Sequence, residues 1–328
     1  MIDLTKYNTA AKICRTTLDA LMDKIHTKQC LVVRDLCELG NNLIKDECAK
    51  IFKKETNKGI AFPVSISLNN CVGNYVHDDS VPEYNTIQPG DVVKLELGVV
   101  VGGCIAVLGE TIVNAEAEPV NDYLKMLEIL KKNVVKLMSS GNTNDDITVS
   151  VESTCTEYEC FPKENSTSYQ QLEGQLQTQE SKYILFNHQK YYDDEDMLIG
   201  EENVCFEFEE GEVYNINLSI VPEDPSGPHA YKELCEPHIA RFNDCFYNLK
   251  LKSAREFVST VKKNENNNAF YLSHYNSSNR ARLGMKECFA SGILEPYHVL
   301  CTRSKLPVYH AKFTVVVGKD KGVLLKYS

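Results

Sequence analysis

The stretch VVKLELGVVVGGCIAVLGETIV, residues 92–113, restricts the fold more than any other part of the chain. It is the most apolar segment, yet Lys94 and Glu96 interrupt it and Gly102-Gly103 lies near its middle. A membrane helix needs about twenty apolar residues free of such charges, whereas two buried strands joined by a glycine turn accept them. The spacing predicts strands over 92–100 and 104–113, with Pro89-Gly90 turning the chain into the first. A third alternating segment, 60–68, precedes them.

Helical spacing surrounds these strands. Ile13, Thr17, Leu18, Leu21, Met22 and Ile25 predict a helix over 9–26; Leu36, Leu43, Ile44, Cys48, Ile51 and Phe52 predict one over 33–54. A third is expected over 119–138. The pattern then starts again, with Asn144-Asp145-Asp146 capping a helix over 145–158. Polar coil across 164–181 leads to strands over 204–208 and 213–221. Helices over 252–263 and 280–290 follow, and strands over 297–302 and 309–317 close the chain. Two successive helices-then-strands halves, 1–140 and 141–328, predict one α+β domain with approximate internal two-fold symmetry. No Pro/Gly/Ser-rich linker divides them.

The N-terminus has no positive region followed by an apolar run, so neither a signal peptide nor a membrane segment is expected. Thirteen cysteines without a CxxC pair then read as reduced cytosolic thiols, with Cys14, Cys37, Cys48, Cys71, Cys104 and Cys205 in apolar-periodic segments and expected in the core. The formal charge of −11 repels nucleic acid at long range, but it is unevenly spread. Residues 193–212 carry ten acids and no base, whereas 245–286 carry eight bases against two acids.

Four stretches resemble the methionine-aminopeptidase-like, or pita-bread, family: GIAFPVSISLNNCV (59–72), IQPGDVVKLELGV (87–99), GEVYNINL (211–218) and HAKFTVVV (310–317). Four more are similar to its proliferation-associated, non-peptidase branch: AKIFKKE (49–55), YNLKLKSAREF (247–257), ARLGMKEC (281–288) and ILEPYHVL (293–300). The likeness runs from about residue 8 to about residue 320. It implies a curved antiparallel sheet covered by helices, with 245–286 as a basic, insert-like segment.

The resemblance also implies a metal site to test. The family's peptidases hold two divalent metals with two Asp, one His and two Glu, and a second His contacts substrate. Here those positions map in turn to Glu96, Val107, Tyr169, Asn217 and Lys312, and the second His to Asn74. A unit charge about 4 Å from a divalent ion contributes roughly 8 kcal/mol at an effective dielectric near 20. Replacing Glu by Lys reverses that contribution, a change comparable with the about 10–16 kcal/mol of a tight zinc site. The expectation is a Glu96–Lys312 ion pair filling part of a vestigial pocket, with no catalytic residue, no metal and no cofactor. His310, two residues before Lys312, should share its strand face, and His77 and Glu110 should face away. No GxSxG, HExxH, P-loop or GxGxxG motif offers another chemistry.

For function, the resemblance implies binding to the large ribosomal subunit, its rRNA and tunnel-exit proteins, near the exit of the nascent-chain tunnel. Lys250, Lys252, Arg255, Lys262 and Lys263 would carry phosphate contacts, with Lys53, Lys54 and Lys58 as a second group. Tyr247, Phe257, Phe270 and Tyr271 are expected in the core rather than stacked on bases. A monomer in the cytoplasm, and in the nucleus as well, is expected, with room for a further protein or peptide partner and none for a membrane. The alternatives are a histone- or peptide-binding adaptor on the same fold, for which the acidic 193–212 stretch speaks, and a residual metallo-aminopeptidase.

Overall fold

The computed structural model describes residues 2–115, 121–164, 166–172, 174–186, 191–192, 198–199, 204–224, 230–243 and 248–327. Tyr247 and parts of the acidic 193–212 and basic 245–286 stretches lie outside them.

Helix α1 (Leu4–His26) starts five residues before the periodicity predicts, because Asp3 accepts the Lys6 backbone N–H and Tyr7 is buried. Helix α2 (Val33–Lys50) stops before the predicted end. Ile51 turns extended there, and Lys58 Nζ donates to the carbonyl of this cap residue at 2.5 Å and to that of Phe52 at 3.3 Å. Both helices pack on β1 (Lys58–Leu68), β2 (Val92–Val101) and β3 (Cys104–Val113), an antiparallel meander. Gly102 and Gly103, with φ of +60° and +82°, make the two-residue turn between β2 and β3 that a right-twisted hairpin requires.

The second half repeats the plan. Helices α3 (Asp122–Leu137) and α4 (Asn144–Glu157) cover a second core, with Thr143 and Asp146 forming a reciprocal cap. The strands that follow are β4 (Cys160–Pro162), β5 (Ser166–Gln170), β6 (Tyr183–Phe186), β7 (Tyr191–Tyr192), β8 (Leu198–Ile199), β9 (Val213–Pro222) and β10 (Tyr231–Phe242). Then come α5 (Lys252–Glu265), β11 (Phe270–Tyr271), α6 (Asn279–Ala290), β12 (Leu294–Thr302), β13 (Tyr309–Val316) and β14 (Val323–Leu324). The main sheet runs β1-β2-β3-β13-β9-β5-β6, with β14 beside β13 and β4 beside β9. Its halves join where Gly109 and Leu108 of β3 pair with Lys312 and Phe313 of β13. A smaller sheet, β11-β10-β12, carries α5 and α6 on a core of its own that includes Phe242, Phe257, Phe270 and Leu294.

Three expectations need correction. Residues 204–208 are not a strand: their backbone bonds to the loop and cap at 142–144, where Asn144 Oδ1 accepts the Phe206 N–H and Asn144 Nδ2 donates to the Val204 carbonyl. Cys205 in that segment is exposed rather than in the core, and Cys104 is only partly buried. The predicted coil contains β5, whose inward residues Ser166, Ser168 and Gln170 are polar.

Candidate functional site

One row of register partners crosses the middle of the main sheet: Ser65, Glu96, Gly109, Lys312 and Asn217, on β1, β2, β3, β13 and β9. Register partners present side chains to the same face, so Glu96, Lys312 and Asn217 meet there. Gly109 lets Lys312 cross to Glu96, since a Cβ at 109 would stand 2.8 Å from Lys312 Cβ. The Lys312 ammonium hydrogen-bonds Glu96 Oε1 and lies 4.8 Å from the centroid of the Phe62 ring. Burial pushes the Glu96 carboxyl up, but the neighbouring Lys312 and His310 outweigh it and hold the group below its usual range.

His310 shares this face. Its Nε2 is 2.8 Å from Asn217 Oδ1, so the ring nitrogen donates there, and its backbone N–H and C=O both bond to the Thr111 hydroxyl. Burial, with help from Lys312 and Lys94 and against Glu96, lowers its pKa to about 4. The ring is neutral at neutral pH.

These groups form the floor of a cavity of about 280 Å³. Asn74, Glu96, Tyr169, Asn217 and Lys312 all line it. Asn74 holds a left-handed backbone, φ +64°, and donates from Nδ2 to the His298 carbonyl, tying the connection between β1 and β2 to β12. Tyr169 stands on β5 opposite Asn215 of β9. Val107 does not line the cavity. It packs with Ala61, Val100 and Ile105, and Leu176 covers this apolar cluster and lines the cavity in its place. Glu110 faces α1, where Arg15 holds it at 2.6 Å, and His77 lies outside the cavity, 2.9 Å from Asp79.

Sequence reading missed the opposite wall. It is Glu295, Tyr297 and His298 of β12, while Asn215 and Ser219 flank Asn217 on the floor strand β9. Glu295 is ion-paired with Arg241, and Tyr297 sets its ring edge-on to Phe62 at 5.1 Å. The ILEPYHVL stretch contained these wall residues, but nothing in its periodicity says which face meets the cavity.

The residues on this face do not fit a pair of divalent cations. Two such ions need several free carboxylates to bridge and neutralise them. Here Glu96 is engaged by an ammonium, Glu295 by a guanidinium, and the remaining donors are amides, hydroxyls and two imidazoles, neutral His310 on the floor and His298 on the β12 wall.

The basic residues fall into two groups. Lys250, Lys252, Arg255, Lys262 and Lys263 are exposed on α5 and the segment leading into it. Arg255 also donates to the Leu249 carbonyl at 2.6 Å, and Lys262 Nζ lies 5.1 Å from the Phe242 ring centroid, so both have structural contacts. Lys53 and Lys54 are exposed, whereas Lys58 is the partly buried helix-end donor already described. Of these lysines Lys262 lines a shallow groove, together with Asn57, Gln175 and Asn266. Phe257, Phe270 and Tyr271 are buried. No helix among the described residues is long and apolar enough to cross a membrane.

Comparison with known proteins agrees with this architecture. The pattern of metallopeptidase family M24 matches residues 5–244. ErbB-3 binding protein 1 of Arabidopsis thaliana is 29% identical over 331 residues, covering 97% of this chain and 79% of that protein. Proliferation-associated protein A of Dictyostelium discoideum is 31% identical over 323 residues, covering 95% and 78%. A solved structure of a thermophilic Arx1 matches with a TM-score of 0.78 at 22% identity, over 98% of this chain and 90% of that one, which establishes the shared pita-bread fold. A sheet in two helix-covered halves, a family pattern over most of its length and these relatives place the chain in metallopeptidase family M24.

Proposed function

We propose that this chain is a catalytically inactive member of its family that docks on the large ribosomal subunit near the exit of the nascent-chain tunnel. The observation that carries the loss of catalysis is the Lys312–Glu96 pair, which occupies the face where the family's peptidases require free carboxylates. An ammonium there opposes the charge that a metal pair would bring, by an amount comparable with the whole binding energy of such a site.

The docking surface is the exposed basic strip of α5 and its lead-in, Lys250, Lys252, Arg255, Lys262 and Lys263, with exposed Lys53 and Lys54 as a second group. Lysines and arginines at such a surface meet phosphates, which sets affinity and its salt dependence while carrying little base specificity. With a net charge of −11, attachment must be local and oriented rather than a general attraction to RNA. The chain acts as a monomer on the subunit, in the cytoplasm and also in the nucleus.

Sedimentation through sucrose with purified large subunits tests this. The wild-type chain should co-sediment at low salt and release as salt rises; Lys250→Glu/Lys252→Glu should abolish co-sedimentation without loss of fold. Co-sedimentation that survives both that variant and Lys262→Glu/Lys263→Glu would place the contact elsewhere. Metal-dependent release of methionine from a peptide would overturn the inactive reading.

A further inference from the structure

We propose that Asp78, Cys235 and His238 form a binding site for one zinc ion, apart from the cavity on the main sheet. Two of the three come from an irregularity in β10. Cys235 pairs with Val299 of β12 and Ile239 with Tyr297, so residues 236–238 oppose His298 alone. Bulges re-aim side chains. This one turns Cys235 and His238 toward each other, with Sγ 3.3 Å from Nε2.

Asp78 arrives from the segment after β1 and is fixed independently. Its backbone N–H donates to Tyr75 Oη at 3.1 Å and Asn85 Oδ1 at 3.2 Å, and its Oδ1 accepts the Ser80 N–H at 2.7 Å. The Tyr75 ring then packs edge-on against His238, 5.3 Å between centroids. The outcome is a sulfur, an imidazole nitrogen and a carboxylate oxygen all within 4.8 Å of one another, each residue half-buried.

The donor set selects the metal. Thiolate with imidazole suits zinc, whereas magnesium and calcium take oxygen ligands. Zinc bonds of about 2.3 Å to sulfur and about 2.1 Å to nitrogen in a tetrahedron put those atoms roughly 3.6 Å apart, so a small opening admits the ion. The thiol proton leaves to solvent on binding. A water completes the tetrahedron as the fourth ligand. Zinc there would clip the segment after β1 to the bulge of the smaller sheet. This inference does not depend on the ribosomal reading.

The untagged full chain, stripped with chelator, is titrated with zinc alone by calorimetry and with cobalt(II) by absorption. One equivalent of zinc should bind, and cobalt should show a thiolate-to-metal charge-transfer band. Cys235→Ser should remove that band, and Cys235→Ser, His238→Gln and Asp78→Asn should each weaken zinc by roughly tenfold or more. Cys205→Ser, at an exposed cysteine elsewhere, should change neither. No stoichiometric uptake, or uptake and a cobalt band unchanged in Cys235→Ser, would overturn the proposal and leave Cys235 and His238 sharing only a hydrogen bond.

Discussion

Lys312 of β13 and Glu96 of β2 are separated by the whole width of β3, and their side chains meet over Gly109, which pairs with both. The contact is buried, with the two side chains 17% and 7% exposed. Removing one partner of a buried pair strands the other, whereas replacing both with apolar groups is often neutral.

Lys312→Met should therefore destabilise the chain by about 3–5 kcal/mol, and Glu96→Leu/Lys312→Met should return to within about 1 kcal/mol of wild type. Urea unfolding of the four members of the cycle measures this. A double variant as unstable as Lys312→Met would mean that the pair does more than offset its own burial.

Gly109→Ala tests the crossing itself. The added methyl would stand 2.8 Å from Lys312 Cβ, which moves only with the strand backbone, and 3.1 Å from Cε1 of the His310 ring, which the hydrogen bond to Asn217 holds in place. Overpacking of this kind should cost about 1–3 kcal/mol, read as a lower urea midpoint at unchanged slope.

The buried imidazole of His310 makes stability depend on pH. Its pKa is near 4 when folded, and an unfolded histidine titrates near 6.5, so between these values the unfolded chain binds more protons. Stability should fall as pH drops through that window, by about 2 kcal/mol from this residue at pH 5 relative to pH 7. His310→Gln keeps a donor toward Asn217 and should flatten the profile by that amount in chemical denaturation at pH 7, 6 and 5. Glu96, held below the usual carboxylate range, acts at lower pH: its contribution is present above the unfolded value and lost as pH falls through the folded one.

Reversing the charge should reverse the site's behaviour. Lys312→Glu puts two carboxylates beside neutral His310, so the metal-free variant should lose stability through like-charge repulsion. Manganese or cobalt should then raise its melting temperature and leave that of the wild type unchanged. An equal shift in both proteins would show that Lys312 does not govern metal affinity.

Much of this was legible in the sequence because the informative residues lie in stretches that resemble the family's ligand-bearing strands. KLELG, GEVYNINL and HAKFTV each placed one member of the row, and the charge reversal at Lys312 announced its partner. What escaped was polar or non-local. The strand β5 buries Ser166 and Ser168, and Ser168 Oγ accepts the Asn217 N–H, so its inward face carries no hydrophobic signal. The wall from β12 depends on pairing with β10 across more than fifty residues, which no local pattern encodes. Val107 was assigned to the pocket through its match to the family's second metal-binding Asp, and the apolar cap that Leu176 supplies comes from a segment read as coil.

Crystals of the chain soaked in manganese, with an anomalous difference map, test the central claim most directly. The account predicts no peak on the face formed by Glu96, Asn217, His310 and Lys312, with the ion pair intact. A peak ligated by Glu96 and His310, with the Lys312 ammonium swung away, would contradict it.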